Sequence, residues 1–257
     1  MTTTPAEMRW QQKTTVHNLD GRQLTVGERD RTRPFLLLHG GAGPASVAGF
    51  ADLLAARWNA RVLVPTHPGF DGTPRADGLD SVPALAGLYA DLLESENLWD
   101  VTVIGNSIGG WIAAELALRS SPRVSGIVLV NAVGIDVPGH PVTDVSGLTP
   151  DELRKLSFHD PERFPPDPRR RPGPDLAALA AYTKMRMADP GLRDRLGRLD
   201  LPVRVVWGES DGIAVPAYGR ALAEAIPGAR FTLIPGAGHL PQIETPEELL
   251  AAIGAER

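Results

Sequence analysis

Val101-Thr102-Val103-Ile104 runs straight into Gly105-Asn106-Ser107-Ile108-Gly109, and a helix-like segment rich in alanine and leucine, Gly110 to Arg119, follows. A short apolar strand, a G-x-S-x-G pentapeptide and a helix in that order make a nucleophile elbow. This is a tight turn that lifts a serine hydroxyl out at the carboxyl edge of a sheet. The glycines on either side are required because a side chain at those positions would meet neighbouring backbone as the turn tightens. Ser107 is therefore the candidate nucleophile.

Outward from this point the chain alternates between two hydrophobic periods. Thr14 to Leu19 and Gln23 to Gly27 alternate around Asp20-Gly21, which predicts a hairpin. Phe35 to Leu38 is a continuous apolar run, as expected of a strand buried on both faces. The spacing then predicts a helix over Val47–Trp58, a strand over Arg61–Val64 and a helix over Val82–Glu94. After the elbow come a strand, Gly126–Asn131, and later strands at Val203–Trp207 and Phe231–Ile234. Helices at Pro216–Ala225 and Pro246–Ile253 follow those last two. Such alternation predicts a mostly parallel sheet covered by helices on both faces, entered through an antiparallel hairpin.

One stretch breaks the rhythm. Between Ile135 and Leu199 no strand is evident, and prolines gather at 138, 141, 150, 161, 165, 166, 168, 172, 174 and 190. Thr149-Pro150-Asp151-Glu152 reads as a helix start, Leu176–Met187 as a second helix, and Pro165 to Pro172 as loop. A long insert between two strands is expected to form a small helical lid over a site. The expected organisation is a core in two parts, residues 1–134 and 200–257, with the lid at 135–199.

A serine hydroxyl needs a base to take its proton, and the base needs an acid to orient it. In a sheet of this kind the acid precedes the histidine in the chain. Asp211 lies in Gly208-Glu209-Ser210-Asp211-Gly212 after one strand, and His239 in Pro235-Gly236-Ala237-Gly238-His239 after the next. Glu209 and Asp136 are the alternative acids. The loop His39-Gly40-Gly41-Ala42-Gly43-Pro44, after Phe35–Leu38, supplies small residues whose backbone can approach a reacting carbonyl. Gly41 and Ile108 are the expected oxyanion donors, with Ala42 as the alternative in the first loop. Ala42, Asn106, Trp111, Tyr182, Met185 and Leu240 are candidate pocket residues, Met185 because methionine adapts to irregular apolar shapes. His39 is expected to brace the loop it starts, and His67 to stand near the edge of the site.

Composition closes off other classes. The 257 residues carry 42% apolar residues and a net charge of −5, which argues against nucleic acid or anionic membrane as partner. There is no cysteine, so disulfides, thiol catalysis and thiolate metal sites are excluded. Only Lys13, Lys155 and Lys184 stand against a large excess of arginine, which points to a GC-rich bacterial genome. Met1 to Glu7 has no basic start leading into an apolar run, so a cytoplasmic protein is expected. No H-E-x-x-H, phosphate loop or dinucleotide fingerprint is present, and neither metal nor cofactor is expected.

Taken together, His39-Gly40-Gly41, Pro68-Gly69-Phe70, Gly105 to Gly110, Trp207 to Asp211 and Gly236 to His239 resemble the α/β-hydrolase family from Val16 to Ile253. The resemblance implies an eight-stranded sheet and a serine hydrolase, monomer or homodimer, acting on a small hydrophobic ester, lactone or related acyl substrate. Gly105-Asn106-Ser107, Gly110 and Gly43-Pro44-Ala45 look like the meta-cleavage-product branch, which breaks carbon–carbon bonds. Leu240 departs from that branch, where tryptophan is usual, and Arg186 and Arg193 are the candidates for its substrate-binding arginine. A lyase, acyltransferase, perhydrolase or cyclase on the same scaffold is the alternative.

Overall fold

The computed structural model describes residues 12–29, 33–165, 175–184 and 186–254. Met185 and residues 166–174, which hold most of the arginine–proline run, lie outside the described residues. Eight strands form one sheet in the order β1-β2-β4-β3-β5-β6-β7-β8. β1 (Gln12–Leu19) and β2 (Arg22–Arg29) are the expected hairpin, turning at Asp20 and Gly21, both with positive φ. β2 also pairs antiparallel with β4 (Ala60–Pro65). From β4 onward every pairing is parallel, through β3 (Arg33–Leu38), β5 (Val101–Asn106), β6 (Val124–Val130), β7 (Val203–Gly208) and β8 (Arg230–Ile234).

Parity along the strands divides the interior into two cores. Successive residues of a strand face opposite sides of the sheet. Leu36, Leu38, Val103, Leu129 and Val205 pack on one face with α2 (Val82–Ser95) and α3 (Ile108–Leu118). Phe35, Leu37, Ile104, Val128 and Val206 pack on the other, against α1 (Ala45–Trp58) and, further along, α9 (Pro246–Gly254). The continuous apolar runs in the sequence are this double burial. Each fully buried Leu or Phe contributes roughly 1.5–3 kcal/mol relative to exposure.

The insert between β6 and β7 is helical. α4 (Pro150–Ser157) starts with a capping box in which Thr149 and Glu152 cap each other reciprocally. A 3₁₀ turn (Pro161–Arg163), α5 (Leu176–Thr183) and α6 (Leu192–Leu196) follow. After β7 come α7 (Pro216–Glu224) and, beyond β8, the short α8 (Pro241–Glu244), which precedes α9. The helix expected to reach Met187 ends at Thr183. Lys184 turns left-handed, and the chain is drawn back to the segment that follows β6, where Asp189 N–H bonds Gly134 O at 2.8 Å and Ala188 bridges Gly134. That return contact outweighs helix propensity. Among the described residues no helix is long and apolar enough to cross a membrane.

Candidate active site

Ser107 has φ +57° and ψ −121°, a conformation that is costly for a residue with a side chain. It persists because the turn around it is overdetermined. Ser107 N–H donates to Val130 O at 3.0 Å, and Ser107 O accepts from Gly110 and Val133. A Cβ on Gly105 would run into the Gly109 carbonyl, and one on Gly109 would lie 2.6 Å from His39 O. A Cβ on Gly110 would strike Ala132. All three sites demand glycine for lack of space. Ile108 is the first residue of α3, so its N–H has no partner within the helix.

The loops after β7 and β8 bring the candidate acid and the candidate base together. His239 Nδ1–H donates to Asp211 Oδ2 at 2.9 Å. A carboxylate only accepts, so Nδ1 carries a hydrogen, and Nε2 is the nitrogen that holds the lone pair of the neutral ring. Asp211 is 3% exposed and saturated: Asn131 Nδ2 donates to Oδ2 at 2.7 Å, and the N–H groups of Ile213 and Ala214 donate to Oδ1 at 2.8 and 3.0 Å. Neither alternative acid is in this network. Glu209 is exposed, and Asp136 pairs with Arg186 at 2.5 Å on the surface.

Asn106 takes a place different from the pocket position expected of it. It is buried, and its Nδ2 donates to Val130 O at 3.2 Å and to His239 O at 3.0 Å. Its Oδ1 accepts from Gln242 Nε2 at 3.2 Å. The amide therefore ties the elbow to the histidine loop, with both of its N–H donors engaged. Tyr182 is likewise buried, its hydroxyl donating to Pro68 O at 2.6 Å. Trp111 is buried against the chain at Gly134, Leu240 is buried beside His239, and Ala42 is exposed. Arg186 is taken by Asp136, and Arg193 is exposed in α6.

Three polar residues that the motifs did not single out hold the loops. Asn131 donates to Asp211 and accepts from Gly208 N–H at 3.3 Å. Glu244 accepts from Gly238 N–H at 2.6 Å and His159 N–H at 2.9 Å, and Gln242 reaches Asn106. Asn131 left one trace in the sequence, as the polar residue ending the apolar run Ile127–Val130. Glu244 and Gln242 left none.

The loop after β3 leans on the elbow. A Cβ on Gly40 would lie 3.0 Å from Ser107 Cβ and 2.9 Å from Asn106 Oδ1. Gly41 is half-buried, and its carbonyl accepts Asp175 N–H, at the start of α5, at 3.2 Å. Beneath this loop His39 and His67 are fully buried, with ring centroids 3.8 Å apart. His67 is thus inside the core rather than at the edge of the site. Burial pushes the His39 imidazole down to about 4, against the smaller pull of the Gly40 carbonyl. Burial also holds His67 well below the usual range, helped by neighbouring His39.

These shifts have a signed consequence for stability. The groups facing the two rings are Phe70, the Gly40 and His39 main chain and the Tyr89 hydroxyl; none is a carboxylate. Protonation is therefore harder in the folded state than in the unfolded one, where histidine titrates near about 6.5. Stability is fully present above about pH 6.5 and falls as pH drops toward about 4. For His39 the gap of about 2.5 pH units, at about 1.4 kcal/mol each, amounts to about 3–4 kcal/mol, and His67 adds in the same direction. Urea unfolding at pH 7 and pH 4.5 should show a larger loss in the wild type than in His39→Asn. Equal losses would mean that the ring is not held neutral.

Among the described residues no group of histidine, aspartate or glutamate side chains could hold a metal ion. Residues 35–252 match the model of the alpha/beta hydrolase family. A pimeloyl-[acyl-carrier protein] methyl ester esterase of Aromatoleum aromaticum is 31% identical over 255 residues, covering 86% of this chain and 97% of that protein. A 2-hydroxymuconate semialdehyde hydrolase of Pseudomonas putida is 28% identical, covering 88% of each chain. Among solved structures, a thermophilic esterase from Thermogutta terrifontis superposes with a TM-score of 0.74 at 25% identity, over 95% of this chain and 96% of that one. With a strand–elbow–helix at the centre of its sheet and relatives named as esterases and hydrolases, the chain is a hydrolytic enzyme and belongs to the alpha/beta hydrolase family.

Proposed function

We propose that this enzyme is a serine hydrolase for carboxylic esters of a small hydrophobic acyl group, with Ser107, His239 and Asp211 as its catalytic residues. The observation that carries this reading is the 2.9 Å bond from His239 Nδ1 to the saturated, buried Asp211, in a loop tied by Asn106 to the strained elbow. The relatives named as methyl ester esterases support the ester as the bond cleaved.

Ser107 Oγ attacks the ester carbonyl carbon while its proton passes to His239 Nε2. Asp211 stabilises the imidazolium that forms. The carbonyl oxygen becomes an oxyanion and is met by the N–H groups of Gly41 and Ile108. The ester C–O bond then breaks, and His239 returns its proton to the departing alkoxide. Water repeats the sequence on the acyl-enzyme, releasing the acid and restoring Ser107. Residues 135–199 act as a lid over this centre. Among its ties to the flanking loops, Asp175 N–H to Gly41 O and the Tyr182 hydroxyl to Pro68 O support that role. The apolar residues of α5 favour an apolar acyl group.

A fluorophosphonate probe should label the wild type and fail to label Ser107→Ala. p-Nitrophenyl esters of increasing acyl length should show turnover with an optimum at short or medium chains. Labelling without turnover of any ester would move the assignment to a non-hydrolytic reaction on the same residues. No labelling would remove the serine mechanism.

A further inference from the structure

The two stacked histidines take no part in the steps above, yet every nitrogen of both rings is engaged. His39 Nδ1 lies 2.7 Å from Gly40 O, and His39 Nε2 lies 3.0 Å from the main-chain N of His67. A main-chain N–H can only donate, so His39 Nε2 is bare and the hydrogen sits on Nδ1, donating to Gly40 O. His67 holds the opposite tautomer. Its Nε2–H donates to His39 O at 2.9 Å, and its Nδ1 accepts the Tyr89 hydroxyl. The main chain of each residue thus fixes the proton on the other's ring.

The consequence for Gly41 follows from peptide geometry. The Gly40 carbonyl accepts from His39 Nδ1–H and from Gly43 N–H at 3.2 Å. In a planar trans peptide the N–H points opposite to the C=O. Two donors on Gly40 O therefore set the direction of Gly41 N–H, away from the imidazole. The peptide lies between two glycines and would otherwise reorient at little steric cost. Gly40 also faces Ser107 so closely that a Cβ there would meet the Ser107 side chain, which leaves the loop little room to move toward the elbow.

We propose that His39, held in its Nδ1–H tautomer by His67, is a positioning residue that aims the Gly41 N–H at the oxyanion; this rests on the serine-hydrolase reading. Both rings are fully buried and act through the backbone, without touching substrate.

The test compares wild type, His39→Leu, His39→Asn and Ser107→Ala on one p-nitrophenyl ester. It also measures binding of a trifluoromethyl ketone, whose carbonyl takes up the serine oxygen and becomes an oxyanion. His39→Leu should lower kcat by roughly 10- to 100-fold with KM little changed, and weaken the ketone by a similar factor. Affinity for the product acid should be unchanged. His39→Asn keeps an N–H donor near Gly40 O and should recover most of kcat. Losses in both variants that follow melting temperature alone, with ketone affinity retained, would overturn the proposal. Wild-type ¹⁵N NMR tests it if His39→Leu does not fold: His39 must show a protonated Nδ1 and a bare Nε2, and the reverse pattern overturns it. If Ser107→Ala keeps its turnover, the hydrolase reading fails and this proposal with it. If Ser107→Ala is inactive while His39→Leu is fully active, only the positioning role fails.

Discussion

Ser107→Ala should reduce ester turnover by about 10⁶-fold, to the residual level that oxyanion donors and substrate binding give without a nucleophile. The expectation follows from position and chemistry together. The hydroxyl stands at a turn whose three neighbouring glycines leave no room for a different backbone path. Alanine removes only the oxygen, so the fold and the φ of +57° should persist, and thermal melting should move by no more than a few degrees. Ser107→Gly makes a complementary variant. It should be equally inactive but more stable, because glycine accepts this conformation without strain. Intact mass with a slow ester should show the acyl group on wild type alone. More than a few per cent of wild-type activity in the alanine variant would remove Ser107 from the mechanism.

Asp211→Asn should lower kcat by roughly 10⁴-fold, while Glu209→Gln should change it little. The network around Asp211 explains why one atom matters so much. Oδ1 is held by two backbone N–H groups, so an asparagine would place its carbonyl oxygen there and its NH₂ at the Oδ2 position. That NH₂ would face two other donors, His239 Nδ1–H and Asn131 Nδ2–H. The histidine relieves the conflict by moving its proton to Nε2, and Nε2 can then no longer accept a proton from Ser107. The variant should therefore keep its KM and regain activity only slowly with rising pH. Glu209 is exposed and outside the network. The reverse ranking of the two variants would transfer the role to Glu209.

Much of this architecture was legible in the linear order of residues, because the forces that write it are local. Phe35–Leu38, Val103–Ile104, Ile127–Val130 and Val205–Trp207 are unbroken apolar runs since both faces of a central parallel strand are buried. The hairpin turn needs Asp20-Gly21 because both residues take positive φ. The elbow is readable because tight turns restrict side-chain size at fixed offsets, as Gly105 and Gly109 show. Chain order alone brought forward Asp211 and His239, since loops at the carboxyl ends of parallel strands open on one edge.

The sequence ranked Asp211 ahead of Glu209, two residues apart, by side-chain length and position in the loop; the burial that separates them was not legible: one is enclosed by four donors and the other faces solvent. The same holds for Asn106, which looked like a pocket residue and is a tie between loops, and for α5, after which the chain returns to Gly134 in the distant segment beyond β6. Periodicity and turn chemistry depend on residues a few positions apart, so the sequence alone reveals strands, helices and the elbow. Which buried polar atoms meet depends on partners far away in the chain: 28 residues separate His39 from His67, and 133 separate Asn106 from His239. A buried hydrogen bond has no local signature, because the residue types that form it look the same on a solvated surface.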